Sequence, residues 1–315
     1  MAASIAYTNS FDVTDAASFI PAVWSDDVIA AYKKNLVLAG LVSMINHKGK
    51  KGDTIHIPTP VRGAATAKAA NAVVTLVTAS ATNTDVVINK HYEYSFVIED
   101  IVETQALSSM RRFYTDDAGY ALATQVDTDL VGLAPTWNGG TAYSGAVAGG
   151  DGSTTWNPAA NTNTGNGSAL TDAGIRKVIQ TFDDANTPGR DRVLVIPPVE
   201  KKRLLGVTRF TEQAFVGEAG SSNSIRNGFV GDLYGVELYV STNIASFAAT
   251  DTTTFYRPCL MFQKSSLVLA EQVGLRTQAQ YKQEALGTLV TADRLYGVKT
   301  LRSTAGVMAI MVPSL

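Results

Sequence analysis

The chain has 315 residues, of which 45% are hydrophobic and 17% charged, and its formal net charge is −2. A chain this long hides about 75% of its unfolded surface, and so low a charged fraction excludes a disordered chain and points to surface buried against neighbours. One Cys and three His exclude a disulfide framework and a Cys-rich metal site, and the near-neutral charge argues against a basic face that grips nucleic acid.

The longest nearly apolar run, Asn35 to Ile45, is far short of the roughly 20 residues a spanning helix needs. No basic stretch followed by an apolar one marks a signal peptide, so the expectation is a soluble intracellular protein with no membrane contact.

Residues 1–18 are small and polar and read as an extended arm. Phe19, Ile20, Pro21 and Trp24 then precede Ser25, a candidate N-cap, with Asp26 and Asp27 in the first helical turn. Val28, Ile29, Tyr32 and Leu36 follow at helical spacing, and Gly40 is the expected stop. The apolar residues before the cap pack either back on this helix or onto another chain.

After the polar turn Lys48–Asp53, Ile55 and Ile57 alternate with Thr54 and His56 as a short strand ended by Pro58. Arg62 to Asn83 is rich in Ala and Thr and has Arg62 and Lys68 as its charges. The strand pattern resumes at Thr84, with Tyr92, Tyr94, Phe96 and Ile98 on one face and His91, Glu93 and Ser95 on the other. Two extended arms around a coreless middle predict a long projecting hairpin. Alone in water a two-stranded hairpin is marginal, so this one is expected to lie on something else.

Glu99 to Leu133 has no Pro and good helix formers. Its apolar stripe changes phase, from Val102, Ala106, Met110 and Phe113 to Leu122, Val126, Leu130 and Leu133. Either it breaks near Thr115–Gly119, or one rod packs on different partners at its two ends; the rod is the expectation. Pro135 to Ser168 reads as a Gly/Asn-rich loop carrying Trp137 and Trp156.

Thr171 opens an amphipathic helix with Ile175, Val178, Ile179 and Phe182, closed by Asn186–Gly189. A buried strand at Arg192–Ile196, a helix after Pro197-Pro198 and an alternating strand at Val236–Val240 complete a compact α/β unit. The last part is mostly strand: Cys259–Phe262, Leu267–Ala270, Leu275–Tyr281, Leu295–Val298 with a close-approach Gly297, and Val307–Val312.

The sequence carries no recognisable catalytic pattern. His47, His56 and His91 form no metal motif, Cys259 sits in an apolar run, and no phosphate loop, dinucleotide fingerprint or nucleophile elbow occurs. The acid pairs Asp26-Asp27, Asp116-Asp117 and Asp183-Asp184 could do acid–base work, but neighbours on a helix point about 100° apart and share a site poorly. No cofactor, catalytic residue or metal ligand is assigned. The basic groups at Lys33-Lys34, Lys48-Lys50-Lys51, Arg111-Arg112 and Lys201–Arg203 read as solvated faces or intersubunit ion pairs.

This order of elements resembles the major capsid protein of tailed double-stranded DNA bacteriophages, an α+β Hong-Kong-97-type coat fold. Phe19–Trp24, Gly228–Ser241 and Arg294–Lys299 look like stretches of that family. The resemblance implies an N-terminal arm and helix over 1–45, an extended loop over 46–98, and the spine helix of a peripheral domain over 99–134. It further implies an insertion or loop over 135–168, an axial domain over 169–251, and returning peripheral strands over 252–315.

The function implied is a non-enzymatic subunit that self-assembles as pentamers and hexamers into an icosahedral head around packaged DNA, in the virion, after assembly in the host cytoplasm. Intersubunit contact is expected at Phe19, Ile20, Pro21, Trp24, Ile55, Ile57, Tyr92, Tyr94 and Phe96. The expected partners are other copies, a separate scaffolding protein, a portal and a decoration protein, with double-stranded DNA near the shell without sequence reading. Lys68 is a conceivable crosslink donor by position. A nanocompartment shell of the same fold, an α/β hydrolase or transferase using the acid pairs, and an extracellular adhesion module are the rival readings.

Overall fold

The computed structural model describes residues 36–60, 63–74, 76, 81–101, 110–140, 142–144, 155–156, 169–207, 232–248, 255–302 and 306–313. The elements in chain order begin with α1 (Leu38–Leu41), β1 (Ser43–Asn46), β2 (Thr54–Pro60), β3 (Ala81–Val87), β4 (Lys90–Glu99) and α2 (Met110–Val131). A 3₁₀ turn at Ala134–Gly140 leads to β5 (Ala142–Ser144), β6 (Thr155–Trp156), α3 (Asp172–Asp184), β7 (Arg192–Ile196) and α4 (Pro198–Leu204). The rest are strands: β8 (Asp232–Leu233), β9 (Val236–Val240), β10 (Phe247–Ala248), β11 (Phe255–Gln263), β12 (Leu267–Lys282), β13 (Gly287–Thr300) and β14 (Val307–Pro313).

They form three sheets. One runs β1-β12-β13-β4, one runs β6-β5-β14-β11-β7-β9-β8 with β10 beside β11, and β2 and β3 pair alone. The larger sheet is buried on both faces, which is why its strands read as continuous apolar runs. Val193 and Val195 of β7 and Leu260 and Phe262 of β11 point into a core shared with α2, β12 and β13. Leu194, Ile196, Cys259 and Met261 point the other way, against Ile175, Val178 and Phe182 of α3. Cys259 is fully buried, and that burial pushes its thiol well up, so it is a packing residue with no thiolate chemistry.

The α/β unit follows its sequence signals. The Thr171 hydroxyl accepts from the Gly174 N–H at 3.1 Å as the N-cap of α3, Asn186 turns the chain out at φ 54°, and β7 pairs parallel with β9. The returning strands differ from expectation. They are shared between two sheets: β11 and β14 extend the sheet of the α/β unit, whereas β12 and β13 join β1 and β4. The large sheet therefore runs across the boundary near residue 251 that the resemblance implies.

The long helix α2 runs through Thr115–Gly119 unbroken. Its described part meets two sets of partners, and of the first expected face Phe113 is exposed. Ala118 and Leu122 pack with Ala292, Tyr92 and Tyr94, while Val126, Leu130 and Val131 enter the main core. Val102 and Ala106 lie outside the described residues.

The stretch expected as a loop after Pro135 starts in the core. Trp137 is 1% exposed, its indole N–H donates to Thr300 Oγ1 at 3.1 Å, and its ring meets Phe262 at 6.0 Å. From there β5 pairs parallel with β14 and adds to the edge of the large sheet.

Candidate assembly surfaces

The chain projects one element built to leave the body. β2 and β3 pair over seven positions, from Thr54 opposite Val87 to Pro60 opposite Ala81. Only the base is packed. Ile55 and Ile57 lean on Val86, Ile88, Val268 and Ala270. Beyond Pro60 the described residues 63–74 and 76 are all exposed, including Val73 at 88% and Leu76 at 87%. The chain reverses at Asn71, φ 62°, where Ala72 N–H donates to Ala69 O at 3.2 Å. A cross-strand pair, His56 Nδ1 to Asp85 Oδ1 at 2.5 Å, faces water from the ladder.

The second arm is shorter than the alternation from Thr84 to Ile98 predicts. The pattern spans two strands, because the backbone leaves the hairpin at Ile88–Asn89 and β4 enters the four-stranded sheet beside β13. Tyr92, Tyr94 and Phe96 then line the helix side of β4. Tyr92 meets Tyr296 at 6.0 Å, the Tyr94 hydroxyl donates to Asp117 at 3.3 Å, and Phe96 meets Tyr114 at 5.4 Å. These three rings, and Ile55 with Ile57, are engaged inside their own chain. Phe19, Ile20, Pro21 and Trp24 lie outside the described residues.

Two features at the hairpin root were not singled out by sequence reasoning. The first is the docking of residues 36–46, expected as part of an arm laid on a neighbour. Leu38 and Val42 are buried in the main core, and β1 pairs parallel with β12, Ser43 opposite Val268. Asp127 of α2 holds this segment. Its carboxylate accepts from Val37 N–H at 3.0 Å, Leu38 N–H at 3.3 Å and Ala39 N–H at 3.0 Å. Burial pushes the Asp127 carboxyl up from its ordinary value, and the three donors pull against that. The signal available in sequence was an acid flanked by Val126, Leu130 and Val131.

The second is an ion-pair network along β12 and β13. Arg276 is bidentate on Asp293, Nε to Oδ1 at 2.6 Å and Nη2 to Oδ2 at 2.8 Å, and His91 Nε2 lies 3.1 Å from Oδ2. The Arg276 bonds hold the Asp293 carboxyl below its usual value despite burial, with His91 adding to the effect. For Glu271 burial is the largest single influence and raises the carboxyl, but Lys48 at 3.0 Å and Arg294 at 2.9 Å together outweigh it and hold it down.

A carboxyl depressed in the folded state contributes stability above its unfolded value, and that contribution is lost as pH falls through the folded one. Asp293→Asn is therefore expected to lower the thermal midpoint most near neutral pH. The gap to the parent should shrink as pH drops below about 4, the ordinary carboxylate range. A gap that stays constant across that window would deny the network its pH-dependent share.

The acid pairs are not assembled into a site. Asp117 is taken by Tyr94 and Asp183 by Arg192 at 2.7 Å, and Asp26 and Asp27 lie outside the described residues. Among the described residues no group of three or more His, Cys, Asp or Glu is placed to hold a metal ion. Among them, too, no helix is long and apolar enough to cross a membrane.

Comparison with known proteins agrees with this layout. No curated protein matches the chain. Solved structures match over nearly all of it. One, titled Mycobacterium phage Che8, has a TM-score of 0.69 at 23% identity and covers 93% of this chain and 97% of its own. The capsid of cyanophage P-SCSP1u has a TM-score of 0.68 at 17% identity, covering 94% and 93%. The capsid asymmetric unit of cyanophage Pam1 has a TM-score of 0.71 at 14% identity, covering 98% and 99%. These likenesses establish the fold, the α+β Hong-Kong-97-type coat architecture. The model of the phage capsid protein family matches residues 92–307, from the aromatic face of β4 to the first residue of β14. Matched over more than half its length, the chain belongs to the phage capsid protein family and is a structural subunit of a capsid.

Proposed function

We propose that this subunit closes into an icosahedral phage head of pentamers and hexamers, held together by its projecting hairpin. The observation that carries the reading is the contrast between the packed hairpin base and the exposed apolar tip. From Thr54 to the turn at Asn71 the arm can reach up to about 55 Å at about 3.3 Å per residue. That is far enough to cross a neighbouring subunit. A tip that packs on a different patch of the next copy makes a head-to-tail contact, and head-to-tail contacts close into rings.

In this reading Ile55, Ile57, Tyr92, Tyr94 and Phe96 brace the base of the hairpin and the long helix, so that the arm leaves at a fixed angle. Phe19, Ile20, Pro21 and Trp24 supply a second apolar contact between copies. A scaffolding protein guides closure, a portal occupies one vertex, and a decoration protein binds the outer face. The chain performs no catalysis. Its net charge of −2 suits a wall near packaged double-stranded DNA that does not grip it. Assembly takes place in the host cytoplasm and the product is the virion.

The test is size-exclusion chromatography and negative-stain imaging of the expressed subunit, with and without scaffolding protein. The parent is expected to give closed shells. Deleting residues 63–80 is expected to change the stability of the subunit by less than about 1 kcal/mol, since surface segments without packing contribute little. The same deletion should abolish most shells. Normal shells from the shortened chain would take the hairpin out of assembly.

A further inference from the structure

Resting on the coat reading, we propose that the solvent face of the α3–α4 layer contacts phosphates of the packaged double-stranded DNA through Lys177, Lys201 and Lys202, without reading sequence.

Both helices pack on one side of the large sheet. Ile175, Val178 and Phe182 of α3 and Leu204 of α4 share a core with Leu194 and Ile196 of β7. A buried carboxylate joins their starts. Glu200 of α4 is 0% exposed. Its Oε2 accepts from the Leu170 N–H at 2.8 Å, two residues before α3 begins, and its Oε1 accepts from Arg203.

The charges left facing water near that joint are basic. Arg176 is paired with Asp172 at 3.0 Å, one turn back, and Arg203 with Glu200. Lys177, Lys201 and Lys202 stay uncompensated. Lys202 is exposed, and Lys177 and Lys201 are half-buried. Among the described residues none of the three forms an ion pair, and Lys177 has only the neutral Gln180 amide, at 3.5 Å. The next carboxylates of α3, Asp183 and Asp184, lie about 10 Å further along the axis, roughly a Debye length at about 0.1 M salt. Asp183 is in any case taken by Arg192 at 2.7 Å. The chain's net charge of −2 averages over this separation and hides it.

The kind of cation selects the kind of anion. A carboxylate held in one geometry by a protein partner is met best by Arg, whose planar fork fixes both oxygens. Here both arginines are committed within the chain, and the uncompensated cations are lysines, compact charges on flexible stems. They suit a polyanion met at no fixed register. DNA carries one negative charge per about 1.7 Å of its axis, so three lysines find phosphates at any position along it. Phosphate contacts carry no sequence information, as a wall around a whole genome requires. Few contacts per copy are weak alone and add up over the many copies of a shell, so each subunit touches the DNA without gripping it.

The experiment measures binding of free subunits to duplexes of about 30 base pairs by fluorescence anisotropy, in two unrelated sequences and across a range of salt. With three phosphate contacts, affinity should fall about 80-fold between about 20 mM and about 100 mM salt, equally for both sequences. The triple variant Lys177→Gln/Lys201→Gln/Lys202→Gln should unfold at the parent's midpoint, because it breaks no ion pair, and should lose that salt dependence. Lys50→Gln/Lys51→Gln, on the turn at the hairpin root, should bind as the parent does. A parent that does not bind at the lowest salt overturns the proposal, and so does a triple variant with the parent's salt dependence. Polyglutamate bound as tightly as the duplex also overturns it, and assigns the face to an acidic polypeptide. In intact shells, an amine-acylating reagent coupled to dextran too large to cross the wall should leave Lys201 and Lys202 unmodified. Their modification would place the face outside, away from the DNA, and overturn the contact while leaving the coat reading intact. Failure of the parent chain to form shells under any condition overturns the coat reading and the packaged-DNA contact with it.

Discussion

Asp127→Ala is expected to destabilise the subunit by about 3–5 kcal/mol, because it orphans one buried and two half-buried backbone donors at about 1–3 kcal/mol each before partial relaxation. The residue is 0% exposed, and its donors are Val37, Leu38 and Ala39, at the mouth of the four-residue helix α1. So short a helix has no stability of its own, since most of its N–H groups lack an intrahelical partner. The carboxylate replaces those partners from α2. What it secures is larger than one turn. Leu38 and Val42 fill the main core, and β1 follows directly to cover the first part of β12. Loss of the anchor should therefore free residues 36–46 together. Asp127→Asn keeps one acceptor oxygen but turns an NH₂ group towards a donor, so a smaller loss of about 1–2 kcal/mol is expected. Urea unfolding of the free subunit measures both. A loss under about 1 kcal/mol for Asp127→Ala would mean that water replaces the carboxylate, and that the segment is held by Leu38 and Val42 alone.

Asp127 also shows what a single sequence can and cannot carry. Elements whose signal is local were legible. The Thr171 cap, the stripe Ile175–Phe182 and the buried run Arg192–Ile196 lie where spacing put them. So did the unbroken helix through Thr115–Gly119 and the exposed middle of the hairpin. What local pattern omits is the partner. Ser43–Asn46 is a strand because Val268–Glu271 lies beside it, far along the chain, and nothing in its own composition separates it from the apolar run before it. The strands after residue 252 were recognised as strands, yet their division between two sheets is a property of pairing, which alternation does not encode. Trp137 sits among Gly, Asn and Thr and reads as loop, but its indole finds Thr300 and Phe262 in the core. Among the candidate contact residues, sequence identified the apolar faces of β2 and β4 correctly. It could not tell that the chain's own helix and sheet already cover much of them.

Gly297→Ala is expected to damage assembly out of proportion to its effect on the fold. A Cβ at Gly297 would stand 2.3 Å from the carbonyl oxygen of Val87 and 3.0 Å from Ile88 Cα. Both are backbone atoms, so no rotamer change relieves the clash. Either β13 or the hairpin root must shift by about 1 Å, at a cost near the upper end of the 1–3 kcal/mol usual for overpacking. The root is the softer side. β13 is clamped between β12 and β4, whereas the hairpin, among the described residues, pairs only with itself and rests through Val86 and Ile88 on Val268 and Ala270. A shift of about 1 Å across a strand spacing of about 5 Å tilts the arm by roughly 0.2 radian, which moves a tip about 55 Å away by roughly 10 Å. If the hairpin tip meets a neighbouring copy as proposed, that contact does not survive such a displacement. Gly287→Ala separates aim from stability: its Cβ would meet Ile98 O at 2.5 Å, a comparable clash against β4, away from the hairpin root. Both variants should lower the unfolding midpoint, and Gly297→Ala alone should lose shells at temperatures where its subunit remains folded. Equal loss of shells in the two would mean that assembly follows overall stability, not the angle at which the hairpin leaves the body.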